Sequence, residues 1–164
     1  MTLTIRDAVA TDSPAIARLV NDEIATATST WATSAREPDE MAALLEARAA
    51  AGYPTLVGER EGVFAGYAAL APFRPQEGFA PTAEVSVYVE PRLRGAGTGM
   101  ALLSAVARRA RAESFAVLVA CVGADNERSL RLHARAGFTE AGRLPAVGRK
   151  FGRWLDLVLL IRRL

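Results

Sequence analysis

Cysteine, histidine and lysine each occur once in these 164 residues. Cys121 alone cannot form a disulfide within the chain, and the sequence has no CxxC pair, HExxH helix or metal-ligand cluster. Cys121 falls in an apolar stretch and reads as a buried, inert thiol. Lys150 is the only lysine among 20 basic side chains, which singles it out. Charge of one sign is lacking too: 20 basic against 18 acidic residues leave +2, with no basic run suited to nucleic acid. Apolar runs are too short to span a membrane and no basic-then-apolar leader opens the chain, so the expected compartment is the cytoplasm. What is present is 51% apolar and 23% charged residues, the composition of one globular domain over residues 1–164.

Strand and helix periods alternate along it. Thr2 to Arg6 reads as a strand, and Ser13-Pro14 as an N-cap with proline at the first helical position. Ile16, Leu19, Val20 and Ile24 give that helix one apolar face. Thr26 to Ser34 has no period and reads as a loop, in which Trp31 fits two roles, pocket wall or core cover. Pro38 opens a second helix whose face is Met41, Leu44, Leu45 and Arg48, stopping near Gly52 and Pro54. Thr55–Glu59 and Val63–Ala71 form a hairpin across Arg60-Glu61-Gly62. Pro72 to Pro81 is a polar loop with three prolines, suited to binding substrate over a rigid scaffold. Ala83–Val89 is a strand that stops at Pro91, and Met100, Leu103, Val106, Ala107 and Ala110 mark the next helix. Phe115 to Val122 reads as a central strand covered on both faces. A short helix over Glu127–Ala136 closes at Gly137. Phe138–Gly142 and Trp154–Ile161 finish as strands, with Val147–Gly152 a turn between them. This order implies a mixed α/β sandwich around one curved sheet.

Glu84 to Met100 carries the chemistry. An alternating strand runs into Arg94-Gly95-Ala96-Gly97-Thr98-Gly99 and then a helix. Glycines there let backbone N–H groups turn inward, and the helix adds free donors and a positive dipole end, which suits phosphate. A mononucleotide P-loop is excluded, because Thr98-Gly99-Met100 stands where lysine and a hydroxyl residue are needed. A dinucleotide fold would place its glycines near the first strand of a βαβ unit, whereas here they follow the fourth predicted strand, with arginine leading them. Arg94 supplies a charge-assisted contact to a pyrophosphate. Asn126, Ser129 and His133 follow at near-helical spacing, on one face.

This constellation resembles the GNAT superfamily of acyl-CoA-dependent N-acyltransferases, on the Arg94-to-Gly99 turn and the segment Asn126-x-x-Ser129-x-x-Leu132-His133 ending at Gly137-Phe138. Within it the chain is similar to the phosphinothricin/methionine sulfone acetyltransferases. Glu84-x-Ser86-Val87-Tyr88-Val89 and Gly148-Arg149-Lys150-Phe151-Gly152-Arg153-Trp154-Leu155-Asp156 carry that likeness, and Ile5-Arg6-Asp7-Ala8, Tyr53-Pro54 and Pro72-Phe73-Arg74 fit it. The resemblance implies a three-layer α/β sandwich with a mostly antiparallel, splayed sheet of about seven strands, about four helices, and a homodimer. It implies acetyl-CoA as cosubstrate, with no metal. Val87, Tyr88 and Val89 would hold the pantetheine arm, and Arg94, Gly95, Ala96, Gly97, Thr98, Gly99 and Met100 the pyrophosphate. Asn126 and Ser129 would meet the cofactor near the pantetheine.

The reaction so implied is acetyl transfer to the α-amino group of a free amino acid or analogue. Glu84 is the candidate base, or the anchor of a substrate ammonium. His133 is either an acid/base group or a packed residue, and Tyr88 is a further proton donor. Trp31, Arg74, Phe79, Glu84 and Lys150 are the acceptor-side candidates, with Arg74 and Lys150 for a carboxylate. The loop departs from the family pattern at Gln76, where a second arginine is common, and at Phe79, where tyrosine is. Both departures favour a neutral side chain, such as methionine or its sulfone, over phosphinothricin. Competing acceptors are a polyamine, an antibiotic or a protein N-terminus. The loop offers a polyamine only Glu77. A non-catalytic acyl-CoA sensor is the reading from a different class, disfavoured because Glu84 is kept beside the turn.

Overall fold

The computed structural model describes residues 2–164. In chain order its elements are β1 (Leu3–Asp7), α1 (Ser13–Thr26), α2 (Pro38–Ala50), β2 (Thr55–Arg60), β3 (Val63–Pro72), β4 (Thr82–Val89), α3 (Thr98–Ala112), β5 (Val117–Gly123), α4 (Glu127–Arg135), β6 (Thr139–Lys150) and β7 (Arg153–Arg163). The seven strands make one sheet in the order β1-β2-β3-β4-β5-β7-β6. All neighbours are antiparallel except β4 and β5, the one parallel pair.

Local chemistry explains the joints. Glu61-Gly62 and Phe151-Gly152 both have two successive left-handed residues, the backbone that a two-residue hairpin turn requires. They join β2 to β3 and β6 to β7. The turn expected over Val147–Gly152 is therefore shorter, since β6 continues to Lys150. A register shift between Leu144 and Gly148, beside Pro145, breaks the alternation that would have revealed the strand. Proline is tolerated there because β6 is an edge strand at a bulge.

Two apolar layers pack on the sheet. Leu102 and Leu103 of α3 pack on Leu70, Leu118 and Val158 of the sheet, all fully buried. Ile16 and Leu19 of α1, with Met41 and Leu45 of α2, pack on Val57 and Tyr67 of the other face. Alternation along β4 sends Ala83 and Val85 into the first layer and Glu84, Ser86 and Tyr88 to the second face. Register puts Val119 and Cys121 of β5 on that same face. There α1 and α2 cover β1 to β3 and leave β5 open, so β5 is not covered on both sides as its apolar sequence implies. Cys121 is exposed, not buried, for this reason.

β4 and β5 pair only from Thr82 to Glu84 against Val117 to Val119. Beyond this the strands separate, and the second half of β4 keeps only β3 as a neighbour. The functional groove opens at this split.

Candidate active site

The split leaves β4 with one unpaired backbone edge. An ideal Cβ on Gly66 of β3 would lie 2.3 Å from the Tyr88 carbonyl oxygen, so Tyr88 directs its backbone toward β3. Its neighbours Val87 and Val89 then direct theirs into the groove, and the Val89 carbonyl accepts from Arg94 Nε at 3.0 Å. The groove of about 980 Å³ runs from these residues past the glycine turn and α4 to Cys121.

At the far end Gly95 and Gly97 are both left-handed, with φ of 84° and 82°, and open space stands where their side chains would be. The first intrahelical bond of α3 is Ala101 N–H to the Gly97 carbonyl, so the N–H groups of Thr98, Gly99 and Met100 precede the ladder. Backbone donors, a dipole end and a bare turn fit a pyrophosphate. Two side chains depart from expectation. Thr98 is 1% exposed, and its Oγ1 accepts from Arg60 Nε at 3.1 Å, so only its backbone faces a ligand. Arg94 pairs with Glu23 of α1 and reaches back to Val89, which makes it a brace for the turn. Arg60 also donates to the Ala96 carbonyl at 2.6 Å and holds the turn from outside.

A strap over Ala27 to Trp31 crosses from α1 toward β5 and β6. Lys150 fastens it: Nζ donates to the carbonyls of Ala27 at 2.6 Å and Thr30 at 2.7 Å, with Glu23 at 3.5 Å. Lys150 is only 4% exposed, and burial pulls its ammonium below the usual lysine range. It is thus a structural pin, and the expected contact with a substrate carboxylate is not open to it. Thr28 Oγ1 donates to Asp125 at 2.8 Å and Ser29 donates to Glu23, completing the fastening. Trp31 lies flat against Gly148, where any Cβ would come within 2.3 Å of the indole. Its role is to wedge the strap between the ends of β5 and β6.

Glu84 stands where the strands part, half-buried. Desolvation raises its carboxyl above the ordinary value, opposed by Arg74, Arg48 and a hydrogen bond with the Cys121 thiol. Burial and the nearby carboxylate push that thiol up to about 11, so it is the donor and Glu84 the acceptor. Cys121 is a half-enclosed part of the floor, and the inert core thiol read from sequence is corrected. Tyr88 stacks on Tyr67 at 5.3 Å, and burial keeps its hydroxyl protonated beside Thr30. Arg74 lies 4.9 Å over the ring of Phe73, and Phe79 meets Phe73 edge-on at 5.6 Å. Phe79 therefore props the loop that carries Arg74.

On α4, Asn126 caps the helix, its Oδ1 accepting from Ser129 N–H at 3.1 Å. Ser129 and His133 line the groove. His133 is 3% exposed, and Nδ1 lies 2.9 Å from the Ser129 carbonyl, an acceptor, so this nitrogen carries the proton. Burial lowers its basicity and leaves it neutral, packed edge-on against Phe138. None of its hydrogen bonds among the described residues reaches Glu84 or Tyr88. Sequence reading missed Glu23, Arg48 and Arg60. The first two were legible only as charges at apolar helical positions.

The profile of the Acetyltransferase (GNAT) family matches residues 17–138. The chain belongs to the GNAT acetyltransferase family. It is 43% identical over 161 residues to the L-methionine sulfoximine/L-methionine sulfone acetyltransferase of Pseudomonas paraeruginosa, covering 98% of this chain and 94% of that one. Among solved structures, ribosomal-protein-alanine N-acetyltransferase from Brucella melitensis superposes with a TM-score of 0.96 at 42% identity, over 98% and 99% of the two chains. An acetyltransferase from Salmonella typhimurium with its cofactor acetyl-CoA does so with a TM-score of 0.96 at 40% identity, over 99% and 94%. This GNAT enzyme has no group of metal-ligating side chains and no membrane-length apolar helix among its described residues.

Proposed function

We propose that this enzyme, one domain throughout, transfers acetyl from acetyl-CoA to the α-amino group of a free amino acid or analogue with a neutral side chain, such as methionine sulfone. The observation that carries the reading is the half-buried Glu84 carboxylate on the open face at the strand split, beside the cation of Arg74. A zwitterionic acceptor matches that pair of charges, whereas a polyamine would meet repulsion. The likeness to a methionine sulfoximine/sulfone acetyltransferase supports the same class.

Acetyl-CoA supplies the acetyl group as a thioester. The Val87 carbonyl and the Val89 N–H face the pantetheine arm as an added strand would meet it. The N-terminus of α3 takes the pyrophosphate. Glu84 accepts the proton of the attacking amine, its raised basicity suiting the task. The Val87 N–H donates to the carbonyl oxygen as charge develops there, and the Tyr88 hydroxyl donates to the departing sulfur. His133 serves as packing between α4 and Phe138. The lone unpaired Cys121 accords with a reducing cytoplasm.

We also assign a homodimer. Leu144, Val147, Phe151 and Trp154 are exposed on the β6–β7 hairpin, large apolar side chains of the kind that proteins cover. On one face of the hairpin Leu144 pairs with Leu157, and Leu159 on that same face is the register partner of Cys121, so a second subunit there would wall the acceptor site. A protein N-terminus is the second reading, favoured by the likeness to a ribosomal-protein-alanine acetyltransferase.

Thiol release from acetyl-CoA across free amino acids, methionine sulfone, phosphinothricin, polyamines and N-terminal peptides tests the assignment. Fast turnover confined to free amino-acid-like amines is expected. Turnover only with peptides or polyamines would overturn the acceptor class, and tight acetyl-CoA binding without turnover on any amine would point to a sensor.

A further inference from the structure

Arg48 occupies an unusual position for a cation. It follows Met41 by seven residues and Leu45 by three, on the stripe of α2 that packs over β2 and β3. Both of those residues are buried. The same stripe therefore carries Arg48 to the rim of an apolar layer, where α2 ends. Tyr67, Tyr88 and the Glu84 carboxylate all lie within its electrostatic reach, as does a second arginine, Arg36.

No carboxylate pairs with it directly, the Glu84 charge acting on it only at longer range. Arg6, Arg18, Arg94 and Arg109 each have a carboxylate partner. None of the ion pairs or hydrogen bonds among the described residues supplies one to the Arg48 guanidinium. Desolvation holds it below the usual arginine range, and Arg36 pushes the same way. A cation kept half out of water without a partner is unfavourable in the free enzyme, and an arriving anion relieves that penalty.

An α-amino acid bears its amine and carboxylate on one carbon. The end of α2 is tied to this part of the sheet: Tyr53 N–H donates to the Arg48 carbonyl and Leu70 N–H to the Pro54 carbonyl, next to Ala71, the register partner of Glu84. With the amine at Glu84, the carboxylate is drawn toward the two arginines whose charge acts on Glu84, Arg74 from the loop after β3 and Arg48 from α2. Arg74 sits on an exposed loop, stacked on Phe73. Arg48 is built into the scaffold, and its planar fork matches a carboxylate with two parallel bonds. We propose that Arg48 anchors the α-carboxylate of the acceptor and so makes the enzyme select amino acids over simple amines. This rests on the amino-acid reading above, which left the carboxylate to Arg74 alone once Lys150 was accounted for.

The test compares methionine sulfone with its primary amide, which keeps the amine and side chain and loses the carboxylate charge. Wild-type enzyme should favour the acid in kcat/KM by on the order of 100-fold, the scale of a bidentate charged contact. R48Q should collapse that ratio to a few-fold, through a raised KM for the acid, with acetyl-CoA KM unchanged; acid and amide are compared on the pH plateau, where Glu84 is ionised in both enzymes. R48K keeps charge and stem but loses the fork, and should lower the ratio about 10-fold. It serves as the second variant should R48Q fold poorly. A wild type indifferent to the carboxylate would overturn the amino-acid reading itself. A wild-type preference that survives in R48Q, or in R48K where R48Q does not fold, would overturn Arg48 and leave that reading intact. Equal loss on acid and amide, or loss of acetyl-CoA affinity, would make Arg48 structural and likewise overturn the proposal.

Discussion

The two ends of the groove are made of different material. The cofactor end is backbone: left-handed glycines, the free donors of α3 and the unpaired edge of β4. Its side chains, Arg94, Arg60 and Thr98, bind protein and brace the turn from behind. The proposed acceptor end is side chain: Glu84, Cys121, Tyr88, Arg74 and the proposed anchor Arg48, from four separate segments. A backbone site tolerates side-chain change and fails when its conformation is altered. A side-chain site does the reverse, and its specificity can be retuned without disturbing the cofactor.

Changes at either end test that contrast. E84Q removes the proposed base and keeps the shape, so kcat should fall about 100- to 10,000-fold in steady-state kinetics, with acetyl-CoA KM little changed. Next in size is G97A. No atom would meet the added Cβ, so its effect is purely conformational. Forcing alanine to a φ of 82° costs about 1–2 kcal/mol, or roughly 10-fold in acetyl-CoA affinity by titration. K150M strands the carbonyls of Ala27 and Thr30. It should cost about 1–3 kcal/mol, lower Tm by roughly 3–10 °C, and weaken acceptor more than cofactor binding.

The smallest effect is a shift in pH. Glu84 must be ionised to accept a proton, and burial raises its carboxyl, so the acid limb of kcat/KM should lie above the ordinary carboxylate range. Arg74, Arg48 and the Cys121 thiol favour the ionised form, with Tyr88 packed on the same face. C121A deletes one stabilising donor, so the limb should move to higher pH while the plateau rate stays within about 3-fold. A limb that stays in place or moves to lower pH would remove Cys121 from the account.

The same contrast explains what could be read from the sequence. Gly95, Gly97 and the helix after them are local features, and a local pattern declares a backbone site. Glu84 was legible from its place before the turn. Lys150 was not, because its partners on the strap lie 120 or more residues away along the chain. Cys121 looked like core because β5 is apolar throughout. Only the placement of α1 and α2 over β1 to β3 shows that one of its faces is open. Arg48 was visible on its helical face, but its lack of a partner is a tertiary fact. The β6 strand beyond Leu144 was hidden by Pro145 and a bulge.

The most direct test of the division between a backbone cofactor end and a side-chain acceptor end is to measure acetyl-CoA binding and single-turnover acetyl transfer on one sample of E84Q. Acetyl-CoA affinity should stay within about 3-fold of wild type while transfer to methionine sulfone slows at least about 100-fold. Near-normal transfer, or a collapse of acetyl-CoA affinity along with the rate, would contradict that division.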